Sequence, residues 1–227
     1  MKVCFSGLSE PLLVDDAAVS VLEVHNKALF ARMCEALISG LGVDAIEPYS
    51  LWVDDLEVGA VSRFLVVGSP LQLPWDDKGL VSGLAARFEQ EVLVDEESRH
   101  ALEESRALLQ SRLSQVALGL ESDYAFSVDW ELKRYLRTFG FGVDIADGEP
   151  LIDKLIKFLR LVKDAAPKKA LLFVNLKLFL TKSELDMFFE QVFFLRLHVL
   201  LIENVRDDSY EAHERKYVID QDLIESW

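Results

Sequence analysis

Three acid-x-Lys pairs, Asp76-x-Lys78, Glu131-x-Lys133 and Glu214-x-Lys216, are the first residues whose spacing invites chemistry. A carboxylate holds a divalent cation and a nearby lysine steadies a water or a leaving oxygen, which together make a metal-dependent nuclease. Twelve lysines and 39 acids in 227 residues yield about two such pairs by chance, so the pattern needs a structural context. Glu131 and Lys133 carry the nuclease reading. The four histidines, His25, His100, His198 and His213, are scattered without an H-E-x-x-H pattern or a cysteine partner. They read as surface or satisfied core residues. The G-x-x-x-x-G-K-[ST] loop is absent, which argues against nucleotide hydrolysis.

A second candidate is the acidic passage from Glu121 to Glu131. Glu121, Asp123, Asp129 and Glu131 offer hard oxygens across a helix end and the next helix start, a donor type that suits Ca²⁺. The spacing is not that of an EF-hand, and a helix cap with solvated charges uses the same residues.

Charge supplies a third candidate. The net charge is −15, yet residues 131–182 hold 11 Lys/Arg against 6 Asp/Glu, while the rest of the chain holds 13 against 33. A basic segment inside an acidic chain suits a protein that repels nucleic acid over most of its surface and admits it on one. Lys133, Arg134, Arg137, Lys154, Lys157, Lys168, Lys169, Lys177 and Lys182 are the candidate phosphate contacts. Lysines solvated on helix surfaces give the same charge pattern, and cations in a last helical turn also favour the helix dipole.

The elements that position these residues centre on Ala170–Val174, an unbroken apolar run that predicts a strand covered on both faces. Thr181 and Glu184 form a capping box that starts a helix to about Leu195, and Val199–Ile202 supplies the next buried strand, a βαβ unit. Val3–Phe5, Leu12–Val14 and Val19–Leu22 read as an antiparallel ribbon on the sheet edge. Asn26 caps a helix to Ser39 that Gly40 stops. Phe64–Val67 fits a strand or a buried helical turn, and Val53–Val58 is ambiguous. Asp76-Asp77 and Asp95-Glu96-Glu97 open two helices. The second carries Leu102, Leu109, Leu113, Val116 and Leu120 on a narrow seam that fits a helical hairpin or a partner subunit. Asp129 caps a helix to Phe139, Val143–Ala146 returns to the sheet, a helix runs from Pro150 to Val162, and Tyr217–Leu223 adds an edge strand.

At 51% hydrophobic, the chain buries a large core, and no apolar run nears the length of a membrane helix. Glu10 and Asp15-Asp16 interrupt the N-terminus too early for a signal peptide, so a cytoplasmic location is expected. Cys4 and Cys34 lack metal spacing and read as buried thiols.

Several segments together carry a resemblance. They are Phe5-x-x-Leu8-x-Glu10-Pro11, Val21-Leu22-Glu23, Lys168-Lys169 with the apolar run to Val174-Asn175, Leu180-Thr181-Lys182-x-Glu184, and Ile219-Asp220-Gln221-Asp222. In this order and spacing the sequence resembles the accessory spacer-acquisition proteins of type II-A CRISPR systems over nearly the whole chain, with residues 40–130 matching in pattern alone. The resemblance implies a P-loop-like parallel sheet without nucleotide motifs, and a homotetrameric ring that encircles double-stranded DNA ends. It also implies calcium bound at acidic residues near the junction of helical and α/β parts. Glu121-x-Asp123-Tyr124 resembles that family's acid-x-acid-Tyr segment, while the spacing onward to Asp129 departs by a few residues. The partners implied are the CRISPR integrase proteins and the RNA-guided effector nuclease.

These readings combine into an α/β protein whose α/β domain comprises residues 1–58 and 140–227, with a helical domain inserted at 59–139. The function expected is non-catalytic, sequence-independent binding of double-stranded DNA ends in spacer acquisition. The alternatives are a nuclease using Glu131 and Lys133, or an acidic scaffold for protein partners alone.

Overall fold

A computed structural model describes residues 1–61, 63–126 and 129–226. Two compact units divide the chain: Met1–Pro74 with Ile145–Lys163 and Pro167–Trp227, and Trp75–Asp144 with Asp164–Ala166. The helical part thus spans 75–144 where the sequence pattern set 59–139.

The first unit opens with β1 (Lys2–Phe5) and β2 (Leu12–Leu13), followed by β3 (Val19–Val24), α1 (Lys27–Ser39), β4 (Tyr49–Val53), β5 (Leu56–Val58) and β6 (Phe64–Val67). A four-stranded antiparallel sheet has the order β2-β1-β4-β5. Asp54 and Asp55, both at positive φ, make the tight turn between β4 and β5, which explains the ambiguity at Val53–Val58. The expected ribbon is corrected at its third strand. β3 leaves the ribbon and lies in the middle of the second sheet, with all six of its residues buried. Ser20 and Glu23 interrupt its apolar pattern, so the sequence hides a strand covered on both faces.

In the second unit α2 (Lys78–Val94), α3 (Glu96–Ala117) and α4 (Leu132–Thr138) follow one another. Asp77 and Asp95 accept backbone N–H groups of the first turns of α2 and α3. The cap expected from Asp129 is absent: α4 starts after Glu131, without a side-chain cap bond. Phe88 meets Phe141 at 5.0 Å, and a Cβ built on Gly83 of α2 would lie 2.3 Å from the Ala165 carbonyl oxygen. No residue of α3 is buried, and Leu109, Leu113 and Val116 of the predicted seam are exposed. No strand forms at 143–146, where Asp144, Asp147 and Gly148 at φ 77° favour a turn.

The chain completes the first unit with α5 (Leu151–Ala165), β7 (Ala170–Val174), a 3₁₀ turn over Leu176–Phe179, α6 (Lys182–Leu195), β8 (Val199–Glu203), β9 (Glu214–Ile219) and β10 (Glu225–Ser226). Its sheet has the order β10-β9-β3-β8-β7-β6, parallel except for β10. β9 is therefore longer at its start than the expected 217–223 and pairs with β3. Leu22, Val24, Leu172, Leu200 and Ile202 form one core with Leu29, Met33 and Leu37 of α1 and with Val3, Phe5, Tyr49 and Leu51 of the small sheet. On the other face Phe173 meets Phe188 of α6 edge-on at 5.5 Å, and both are fully buried. Each such side chain contributes about 1.5–3 kcal/mol on burial. The capping box of α6 is present as predicted, with Thr181 and Glu184 bonding each other's backbone.

Candidate nucleic-acid interface

Among the nine candidate cations the structure separates internal from outward-facing groups. Lys177 follows β7, where Asn175 in the left-handed region turns the chain. Its ammonium lies 2.8 Å from Asp207 and 2.7 Å from Glu214, with the side chain 10% exposed. Burial works against its charge, but hydrogen bonds to both carboxylates and their negative field outweigh it and raise its pKa. The same bonds, with those from Ser209, overcome burial at Asp207 and hold its carboxyl well below the usual range. Lys177 is thus directed inward, away from any phosphate.

Lys133 pairs with Glu89 at 2.9 Å, Arg134 with Glu131 at 3.1 Å and Lys157 with Glu149 at 2.7 Å. Lys182 is mostly exposed and lies 3.6 Å from Glu211. Arg137 and Lys168 are exposed, and Lys154 and Lys169 are half-buried. Lys168 and Lys169 precede β7, next to Arg63 at the start of β6, whose carbonyl accepts the Ala170 N–H. Arg160 and Lys163 on the outer side of α5 are exposed as well. Sequence reasoning passed over Arg63, Arg160 and Lys163. Arg63 stands alone in its segment, and only the pairing of β6 with β7 brings it beside Lys169. Phosphates bound along such a surface give affinity without base readout.

Glu121, Asp123, Asp129 and Glu131 are all exposed. Among the described residues no three His, Cys, Asp or Glu side chains converge on a metal position, so this set does not fit calcium within the single chain. The acid-x-Lys pairs fare no better as a hydrolytic centre. Glu131 turns to Arg134 and Lys133 to Glu89, while Glu214 and Lys216 stand 3.8 Å apart inside the protein. His25 meets Glu23 at 2.5 Å, and His213 stacks on Phe193 at 3.9 Å between ring centres. Burial lowers the His198 pKa.

In open parallel sheets, ligands favour the C-terminal ends of the strands. Here that edge carries Glu23 of β3 and Glu203 of β8, which are paired in register and each 1% exposed. Burial pushes Glu203 up to about 7 and, with the nearby Glu203 carboxyl adding to it, pushes the Cys34 thiol up to about 12. Lys216 donates to the carbonyls of Asp207 and Ser209 and lies over the Tyr210 ring. Two enclosed acid side chains thus occupy that edge, in keeping with the missing phosphate loop. Among the described residues no helix is long and apolar enough to cross a membrane.

Comparison with known proteins adds two likenesses. A sequence model of the family described as CRISPR-associated protein (Cas_Csn2) matches residues 51–223. The crystal structure of Stu0660 of Streptococcus thermophilus superposes with a TM-score of 0.59 at 17% identity, covering 92% of this chain and 70% of that one. The likeness extends to the fold, with its mixed α/β architecture. None of the curated proteins matches the chain.

Proposed function

Because the chain belongs to the CRISPR-associated Csn2 family, we propose that it binds double-stranded DNA ends without reading sequence and serves spacer acquisition as a non-catalytic homotetrameric ring. The observation that carries the DNA reading is the run of cations from the end of α5 to the strand starts, Arg160, Lys163, Lys168 and Lys169 with Arg63 beside Lys169, none of them buried, in a chain of net charge −15. The acidic remainder restricts where a duplex settles, because like charge repels it elsewhere. α3 supports assembly, since Leu109, Leu113 and Val116 of its seam are exposed among the described residues. The CRISPR integrase proteins and the RNA-guided effector nuclease are the partners in this reading, and the cytoplasm is its compartment. Calcium belongs to the proposal through the family resemblance alone, and the four carboxylates require assembly to be brought together.

The test is binding to linear and covalently closed duplexes of equal length, with mass measured by light scattering. Threading of a ring predicts strong binding to the linear form and weak binding to the circle. Equal affinity for both rejects threading, and a monomer at all concentrations rejects the ring.

A further inference from the structure

Glu23 and Glu203 stand opposite each other on neighbouring parallel strands, with side chains on the same face of the sheet. Both are 1% exposed, and the Oε2 of each has no hydrogen-bond partner among the described residues. A buried orphan carboxylate oxygen is costly, and two side by side are costlier through their mutual charge. The first oxygens of both are engaged. Glu203 Oε1 accepts the Lys177 N–H at 3.2 Å, and Glu23 Oε1 accepts the Asp207 N–H at 3.2 Å and meets His25 Nε2 at 2.5 Å.

The cations nearby act on the Glu23 side, where His25 meets Oε1 and Arg206 lies within the field of its charge, while no Lys, Arg or His among the described residues forms an ion pair with Glu203. The Lys177 ammonium is turned to Asp207 and Glu214. Lys216, on β9, is 4.0 Å from Glu23 Oε2 and is shared with Asp207 and Glu214 at 3.7 and 3.8 Å. From α1 the titratable neighbour is Cys34, whose thiol burial keeps protonated. A metal ion lacks the ligands it needs, because no third His, Cys, Asp or Glu joins the two carboxylates among the described residues. What remains is a proton.

We propose that Glu23 and Glu203 form one proton-binding clasp, in which a single hydrogen held between adjacent strands keeps two backbone segments docked, the 176–179 turn on Glu203 and the loop through Asp207 on Glu23. With the hydrogen present, one carboxyl donates to the free oxygen of the other. Without it two like charges face each other in a low-dielectric interior, and the carboxylates separate by moving the segments they hold. Burial, with the Glu23 charge adding to it, places Glu203 at about 7, so the clasp opens near neutrality. The turn it releases leads straight into α6 and Lys182, which lets proton concentration set the order of that edge.

Hydrogen exchange followed residue by residue tests this on the full chain. After correction for intrinsic exchange, protection of the Lys177 and Asp207 amides should fall by about tenfold or more from about pH 6 to about pH 8.5. Glu203→Gln, an uncharged isostere, should remove that fall. Infrared spectra of the unaltered protein should show a protonated carboxyl band that disappears over the same range, and Glu23→Gln should shift its midpoint to lower pH. Protection independent of pH, a fall that persists in Glu203→Gln, or a midpoint unmoved by Glu23→Gln overturns the clasp. Should Glu203→Gln fail to fold, the infrared band and the Glu23→Gln shift decide it.

Discussion

Lys177 is bound to Glu214 at 2.7 Å, a pair that links the turn after β7 to the first residue of β9, with the Glu214 side chain fully enclosed. An ammonium this buried is a structural group, since freeing it for a ligand would leave Glu214 and Asp207 with only the more distant Lys216 as counter-charge.

Lys177→Met should therefore lower stability by about 3–5 kcal/mol in denaturant titration, the usual cost of removing one partner of a buried ion pair. DNA affinity per folded molecule should stay unchanged. A loss of affinity in a stably folded variant would return Lys177 to the binding surface.

At the outer surface the opposite separation is expected. Lys163→Glu with Lys168→Glu should weaken all duplex sequences alike, leave the melting temperature nearly unchanged, and flatten the plot of log Kobs against log salt by about 0.9 for each phosphate that is no longer neutralised. An unaltered slope places the DNA elsewhere.

Gly83→Ala inserts a methyl group 2.3 Å from the Ala165 carbonyl oxygen, well inside van der Waals distance and against backbone that cannot swing aside. A cost of about 1–3 kcal/mol is expected. Gly119→Ala, with 3.4 Å to its nearest neighbour, is the control and should cost less in the same thermal melts.

Two carboxyls give the stability curve opposite slopes. Asp207 is held below its unfolded value of 3.8, so its contribution is present above that pH and is lost as pH falls. Glu203 is raised from 4.5 to about 7, so its contribution is full below 4.5 and is lost as pH rises to about 7, in all about 3 kcal/mol. Denaturant midpoints should decline over that window and become flat there in Glu203→Gln.

Calcium should raise the melting temperature of the assembled protein, by about 2.7 kcal/mol of added stability at a hundredfold excess over Kd. The response should disappear in Glu121→Ala/Asp123→Ala and in dilute monomer. A response equal in all three samples removes these carboxylates from the site.

Much of the fold was legible where local rules act alone. The Asn26 cap and Gly40 stop of α1, the capping box at Thr181 and Glu184, and the double-faced burial of Ala170–Val174 each follow from short-range chemistry. β3 was misplaced because its membership depends on partners about 180 to 195 residues away, and Glu23 broke the pattern that would have announced it. For the candidate site, residue type revealed the basic segment but not which cations point outward. Lys177 and Lys168 are alike in sequence, and only the carboxylates that the loop through Asp207 and β9 bring to Lys177 tell them apart.

The placement of β3 between β8 and β9 also bears on how the protein is made. A ribosome releases Val19–Val24 long before Val199–Glu203 and Glu214–Ile219 exist. Until then β3 has neither of its strand neighbours, and its unpaired edges are open to mispairing. The central sheet must therefore close after most of the chain has emerged, a late and non-local step that slows folding and exposes the nascent chain to aggregation.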